Sequence, residues 1–310
     1  MVSLKLRAVI VAALICAFGL LLVGASFAQD YKASKTCKMC HTAMHPAIVQ
    51  GFDKIAHPKA LQDAAKNPAA VVAVCDANSP VKAADIKYVL GVGKRGQAYI
   101  GADMKTLPAE WSVTEKKWVT TSVQDAKTQC IGCHVTGYDA AKATWAEEGV
   151  NCDACHGPGS AHLADKTKIV NPKKLTPDKE AMVCGQCHSK GTDTTKAYAF
   201  PITYKPGGDL AQAFIDAQPK TAGRNQQYSE WKTSKHAGPA GVTCVKCHEP
   251  HGANTTQPTQ LRKPIVELCT GAGCHTNKDM KTHAPLAPAG ATCATCHMRF
   301  GRHDFAKPGA

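Results

Sequence analysis

Six pentapeptides of the form Cys-x-x-Cys-His stand in the chain: CKMCH at 37–41, CIGCH at 130–134, CDACH at 152–156, CGQCH at 184–188, CVKCH at 244–248 and CATCH at 293–297. Two thiols spaced in this way can each add to a porphyrin vinyl group. The histidine that follows is then held beneath the ring, where its imidazole reaches the iron. Cys-x-x-Cys alone also serves zinc sites and redox dithiols. Zinc, however, takes four ligands per ion and gives no reason for a histidine directly after every second cysteine. The repetition points to c-type haem and argues against zinc or a disulfide framework.

The stretch CTGAGCH at 269–275 keeps two cysteines and a histidine directly after the second, with four residues between the thiols instead of two. The longer loop can bulge outward while both sulfurs still reach their vinyl groups. Seven sites would use all the cysteines except Cys16 and Cys75. The expectation is seven covalently bound c-type haems. Their thioethers would come from Cys37, Cys40, Cys130, Cys133, Cys152, Cys155, Cys184, Cys187, Cys244, Cys247, Cys269, Cys274, Cys293 and Cys296. The proximal iron ligands would be His41, His134, His156, His188, His248, His275 and His297.

The chain has 14 histidines, so His45, His57, His162, His236, His251, His283 and His303 remain as candidate distal ligands, one for each iron. The alternatives are surface histidines and irons with a methionine or an open face; Met44 and Met298 are the nearest methionines. Histidine on both faces leaves no place for a substrate and lacks the potential-raising effect of methionine. Low-potential centres that pass electrons follow from that ligation.

These residues need elements to position them. Lys5 and Arg7 precede an apolar run from Ala8 to Val23, and Ser26-Phe27-Ala28 offers a small-x-small cleavage site. Residues 1–28 therefore read as a signal peptide, with export to the periplasm or the outer surface; the rival reading is an uncleaved anchor, for which the run falls short of roughly 20 residues. The remainder divides into 29–128, with one haem site and a long gap, and two three-haem clusters at 129–190 and 191–310, packed as one continuous body. Aromatic residues make up only 6% of the chain, so porphyrins rather than side chains must fill much of the interior. The predicted fold is mainly α, irregular, with one small β hairpin element and closely stacked haems.

Within the gap, Leu61 to Val74 reads as a helix, and DIKYVLGVGKRGQAYIGADM as two strands joined by a glycine turn. That turn holds Gly91-x-Gly93-x-x-Gly96, the spacing of a dinucleotide fingerprint. The fingerprint requires a following helix, whereas QAYIG reads as a strand, so no nucleotide is expected. Trp111, Trp118 and Trp145 are expected to pack against the hairpin or a porphyrin, and Cys75 to be a buried thiol. A short helix with Thr176 as N-cap and Pro177 in its first turn should enter the CGQCH site.

CKMCHTAMHPAIVQGFDKIAHPKA and YSEWKTSKHAGPAGVTCVKCHEPHG resemble segments of the cytochrome c554-like multihaem cytochromes, and WAEEGVNCDACHGPGSAH resembles a block of their larger relatives. In that family an aromatic-x-x-Ser-x-His stretch supplies a distal ligand. His57 and His236 match its histidine, with Phe52 and Ile55 replacing the usual Trp and Ser in the first copy. His162 matches the histidine after CHGPGS, and His251 that of CHxPH. The resemblance implies extracytoplasmic electron transfer, a mainly α fold and parallel or perpendicular haem pairs. Some relatives keep one five-coordinate haem that binds or reduces nitrogen oxides; the Cys-x-x-Cys-Lys site of nitrite reductases does not occur here.

The formal charge of +13 falls with Lys5 and Arg7 gone, and fourteen haem propionates would bring it to about +4 oxidised and about −3 reduced. The lysines therefore serve in part as counter-charges, and the rest can steer acidic redox partners, other cytochromes among them. Nucleic acid is not an expected partner. The leading reading is an electron carrier rather than an enzyme. The alternatives are a reductase of a small nitrogen or sulfur oxyanion at one five-coordinate haem, and self-association into a haem-lined filament.

Overall fold

The computed structural model describes residues 30–218, 223–238, 240–271, 273–276, 283 and 287–306. The expected signal peptide lies outside the described residues. Among them, no helix is long and apolar enough to cross a membrane.

The gap after the first motif folds as a five-stranded antiparallel meander, β1 (Leu61–Asp63), β2 (Tyr88–Leu90), β3 (Gly96–Ile100), β4 (Ala109–Ser112) and β5 (Lys117–Thr120), paired in sequence order. The predicted hairpin is its centre: Tyr88 pairs with Ile100 and Leu90 with Ala98. β3 begins at the third glycine of the Gly-x-Gly-x-x-Gly spacing, so the helix a dinucleotide site requires is replaced by a strand.

The helix expected over 61–74 does not form. Leu61 to Asp63 pair with β2 instead, which buries Leu61 to 1% exposure. Asp63 then accepts the backbone N–H groups of Ala65 and Lys66, closing a turn. Pro68 disfavours helical geometry at Asn67, leaving only the 3₁₀ turn Pro68–Ala70.

The sheet is buried on both faces, as strand alternation requires. Val89, Tyr99, Ala109 and Trp111 join Val81 and Ile86 on one side, with Trp118 and the partly buried Cys75 packed against them. Leu61, Tyr88, Leu90 and Ile100 face the other way and meet Ala126, Ile131 and Val135. Ile131 lies inside the second motif, so the sheet is the platform on which that motif rests. The tryptophans pack as expected, Trp111 against Trp118 and Trp145 edge-on to Tyr88.

The helices are short and gather around the cysteine motifs: α1 (Ser34–Met44), α2 (Pro46–Phe52), α3 (Ala126–Gln129), α4 (Ile131–His134), α5 (Cys152–His156), α6 (Ser160–Ala164), α7 (Pro177–Gly185), α8 (Gln227–Trp231), α9 (Cys244–Cys247), α10 (Ile265–Thr270) and α11 (Cys293–His297). Two-stranded ladders pair β6 (Val135–Thr136) with β7 (Glu147–Glu148), and β8 (Gly191–Asp193) with β9 (Phe214–Asp216). The fold is thus mixed and irregular, with more sheet than the single hairpin expected. α7 starts where predicted, with Thr176 as N-cap and Pro177 in the first turn, although the Thr176 side chain makes no capping bond. A third core joins α7 and α8 through Ala181, Tyr228 and Trp231, with Leu210 and Phe214 from the intervening loop.

Candidate functional site

The first cysteine lies in a helix in every motif except CIGCH, where Cys130 stands between α3 and α4, and in the Cys-x-x-Cys-His motifs the histidine follows one turn later. In CGQCH and CVKCH the histidine N–H donates to the first cysteine's carbonyl, at 3.0 Å for His188 to Cys184 and 2.9 Å for His248 to Cys244. CTGAGCH makes the same bond. His275 N–H donates to the Cys269 carbonyl at 3.0 Å, and Cys274 N–H to Gly271. Cys269 sits in the last turn of α10, and the bond from His275 sets histidine and first cysteine in the backbone relation seen in those two shorter motifs. In this bond the stretch matches CGQCH and CVKCH.

Two motif glycines have no room for a side chain. A Cβ on Gly132 would stand 2.1 Å from the Phe200 ring, and one on Gly185 2.7 Å from the Tyr228 ring. Aromatic rings from the 198–231 region lie directly on the second and fourth motifs.

The histidines pair across the chain. Ring centroids lie 6.3 Å apart for His41 and His162, 6.1 Å for His156 and His251, and 6.3 Å for His188 and His57. The separations are 6.2 Å for His248 and His303, 6.2 Å for His275 and His236, and 6.0 Å for His297 and His283. An imidazole nitrogen bonds a metal at about 2.0 Å, so two rings facing one ion from opposite sides have centroids roughly 6 Å apart. All six pairs fit a central iron, and each joins one expected proximal ligand to one expected distal ligand. Two histidines are left over. His45 is exposed and stands 5.4 Å from His41, closer than an interposed ion allows. His134 has no described imidazole facing it.

The outer ring nitrogens are held as well. Nδ1 lies within hydrogen-bond distance of a backbone carbonyl in His134 (Ala60, 2.9 Å), His156 (Val170, 2.8 Å), His248 (Thr259, 2.8 Å) and His297 (Ala306, 3.1 Å). In His188 the partner is a side chain, Oε1 of Gln227 at 3.0 Å. With Nδ1 carrying the proton and donating, Nε2 is left bare for a metal. Burial pushes the rings of His134 and His188 below the ordinary histidine range. Burial together with the facing His188 takes His57 down to about 4. The neutral ring so favoured is the ligating form.

The motifs adjoin one another in a row. The thiols of Cys37 and Cys152 lie close to one another, as do those of Cys133 and Cys187, Cys184 and Cys244, and Cys269 and Cys293. Cys155 lies within electrostatic range of Cys184 and Cys187, and Cys247 of Cys269 and Cys274. By first cysteine the row runs 37, 152, 184, 244, 269, 293. The motif at 130 branches from the one at 184.

Residues 99–157 match the family model described as cytochrome c554 and c-prime, and residues 236–280 match that of the doubled CXXCH motif. The second range contains both CVKCH and CTGAGCH. The multiheme cytochrome MtrA of Shewanella baltica (strain OS185) is 29% identical over 172 residues, 47% of this chain and 49% of the relative. The chain is a multihaem c-type cytochrome.

The cytochrome thus spans about half the length of that curated relative. Its fold resembles the crystal structure of the outer cell wall cytochrome OcwA, with a TM-score of 0.69 and 25% identity over 87% of this chain and 77% of the other. It also resembles the undecahaem cytochrome from the S-layer of Carboxydothermus ferrireducens, with a TM-score of 0.56 and 23% identity over 89% and 52% of the two chains.

Several residues that position these histidines are themselves neither cysteine nor histidine. Asp153, 2% exposed, accepts the N–H groups of Lys32 at 2.7 Å and Gly159 at 2.9 Å. It thereby ties the entry to α1, which bears His41, to the loop leading into α6, which bears His162. Glu230, 3% exposed, accepts the N–H of His303 at 2.8 Å. An acidic residue between the two cysteines of CDACH, and another within QYSEW, was the available signal.

Proposed function

We propose that the chain carries seven c-type haems, six of them bis-histidine and the one at His134 with a single histidine, and that it is an exported carrier of electrons between redox partners. When bound, each haem supplies a one-electron centre. The facing pairs His41–His162, His156–His251, His188–His57, His248–His303, His275–His236 and His297–His283 carry the reading, because their spacing is that of two imidazoles on one iron. The protein's own part is to fix the rings of His134, His156, His188, His248 and His297 by their Nδ1 acceptors, to hold successive motifs close together, and to close six irons to small molecules. Excess lysine on the surface favours acidic partners and a salt-dependent rate of encounter.

One observation favours a second reading. His134 faces no imidazole, and its motif ends the branch of the row. A centre there would keep a free position for a small nitrogen or sulfur oxyanion, with the remaining haems supplying electrons to it.

The test is electron paramagnetic resonance of the oxidised protein with a carbon monoxide difference spectrum of the reduced one. Six low-spin haems, one high-spin haem and one carbon monoxide per chain are expected. Seven low-spin haems with no uptake would remove the reductase reading and leave the carrier. More than one carbon monoxide per chain would overturn the six pairs.

A further inference from the structure

We infer that Gln227 sets the reduction potential of the haem held by His188, and so governs the junction of the row. The inference rests on the proposed ligation of iron by His188 and goes beyond it. The other proximal histidines with a described Nδ1 partner, His134, His156, His248 and His297, all use backbone carbonyls. His188 alone among them uses a side chain. The strength of the acceptor at Nδ1 controls how much negative charge the imidazole passes to its metal, so a stronger acceptor stabilises the oxidised iron and a missing one destabilises it.

Gln227 is built into place. It opens α8, and the N–H of the next residue, Tyr228, donates to the His188 carbonyl at 2.8 Å. Two residues on, Ser229 donates to Asp216 at 2.6 Å, and Glu230 accepts from Gln226 at 2.7 Å. The amide therefore meets the ring from a backbone fixed on both sides. The site is also where the row divides: the Cys184–Cys187 motif touches or closely approaches the motifs at 133, 155 and 244. A change of potential there alters the occupancy of the one centre that adjoins three others, including the branch toward His134. Gln227 touches no iron. It is a positioning residue that acts through His188.

The experiment uses the full haem-loaded protein and two variants, Gln227→Glu and Gln227→Leu, titrated by optical spectroelectrochemistry. Haem number from pyridine haemochrome and mass, and the low-spin resonance intensity, are measured beside it. In the glutamate variant one component is expected to move to a more negative potential. In the leucine variant the same component is expected to move positive, with haem number and low-spin intensity as in the parent. A positive shift in the leucine variant cannot come from added charge, which isolates the hydrogen bond. Two shifts of the same sign, or none with all haems in place, would overturn the inference. Loss of the His188 low-spin signal in the leucine variant would also overturn it, since Gln227 would then secure ligation rather than tune it. A parent protein lacking the haem at Cys184 and Cys187 would instead sink the ligation on which it rests.

Discussion

His57 and His188 face one another with ring planes 88° apart, whereas His156 and His251 face one another at 15°. Each imidazole donates π density along its ring normal. Parallel rings therefore split the two iron π orbitals, and perpendicular rings leave them close in energy. His236 and His275, at 85°, belong with the first case; His41 and His162 (34°), His248 and His303 (25°), and His283 and His297 (17°) belong with the second. The oxidised protein should show two low-spin haems with a single strongly shifted low-field feature and four with rhombic spectra. One spectrum at cryogenic temperature checks the division.

Removing a facing ring should open its iron. His251→Gly is expected to add one carbon monoxide per chain to the uptake of the parent. His251→Met should instead keep the site closed and raise one potential, because thioether ligation favours the reduced iron. His45→Gly should change neither quantity, since His45 faces no unpaired proximal ring.

The looped motif should hold a haem like its neighbours. Cys269→Ala with Cys274→Ala is expected to lower the mass of the purified protein by one haem and leave the other attachments in place. An unchanged mass would mean that CTGAGCH is not an attachment site.

Gly132 is a steric requirement. Gly132→Ala drives a methyl into the Phe200 ring and should cost about 1–3 kcal/mol, read as a lower midpoint of thermal unfolding. Phe200→Ala alone should also destabilise, by leaving a cavity. The double variant should lose less than the sum of the two, because each change relieves the other.

Asp153 should matter for the haem nearest the amino terminus. Asp153→Ala leaves the buried N–H groups of Lys32 and Gly159 without an acceptor and should cost roughly 2–5 kcal/mol. Asp153→Asn keeps a carbonyl oxygen and should cost less. The difference appears in thermal unfolding, and a loosened His162 appears as added carbon monoxide uptake in the alanine variant.

The motifs, the central hairpin and the start of α7 were legible because each depends on residues close together in sequence. Cys-x-x-Cys-His is a local signal, as are the alternation of Tyr88 to Ile100 and the Thr176-Pro177 entry. The extent of the sheet was not. Leu61–Asp63 is a strand only because β2 lies beside it, and nothing between 61 and 74 announces that partner. Equal numbers of motifs and spare histidines suggested six or seven closed irons, yet the count holds no information about direction. His45 stands beside His41, four residues away on the same stretch, and the ring of His134 is left unmatched. The roles of Gln227, Asp153 and Glu230 were hidden for a related reason: each holds a histidine, or the segment that bears one, through a hydrogen bond to a residue remote in sequence that only the folded chain creates.

The six facing pairs have a consequence for the molecule as a polymer. With the proposed ligation, an iron held by His57 and His188, or by His156 and His251, would be a crosslink between distant parts of one chain, and every haem would add two further bonds through its thioethers. The haem-loaded protein would in this sense be a vulcanised network. Closing loops of such length removes conformational freedom worth on the order of 3–5 kcal/mol per junction from the unfolded ensemble. That saving falls on the unfolded side and needs no large apolar interior. On the proposed ligation, this is how a chain with 6% aromatic residues and helices of one to three turns among the described residues would hold its shape. Denaturant should release such a network junction by junction, as ligands detach, rather than in one sweep.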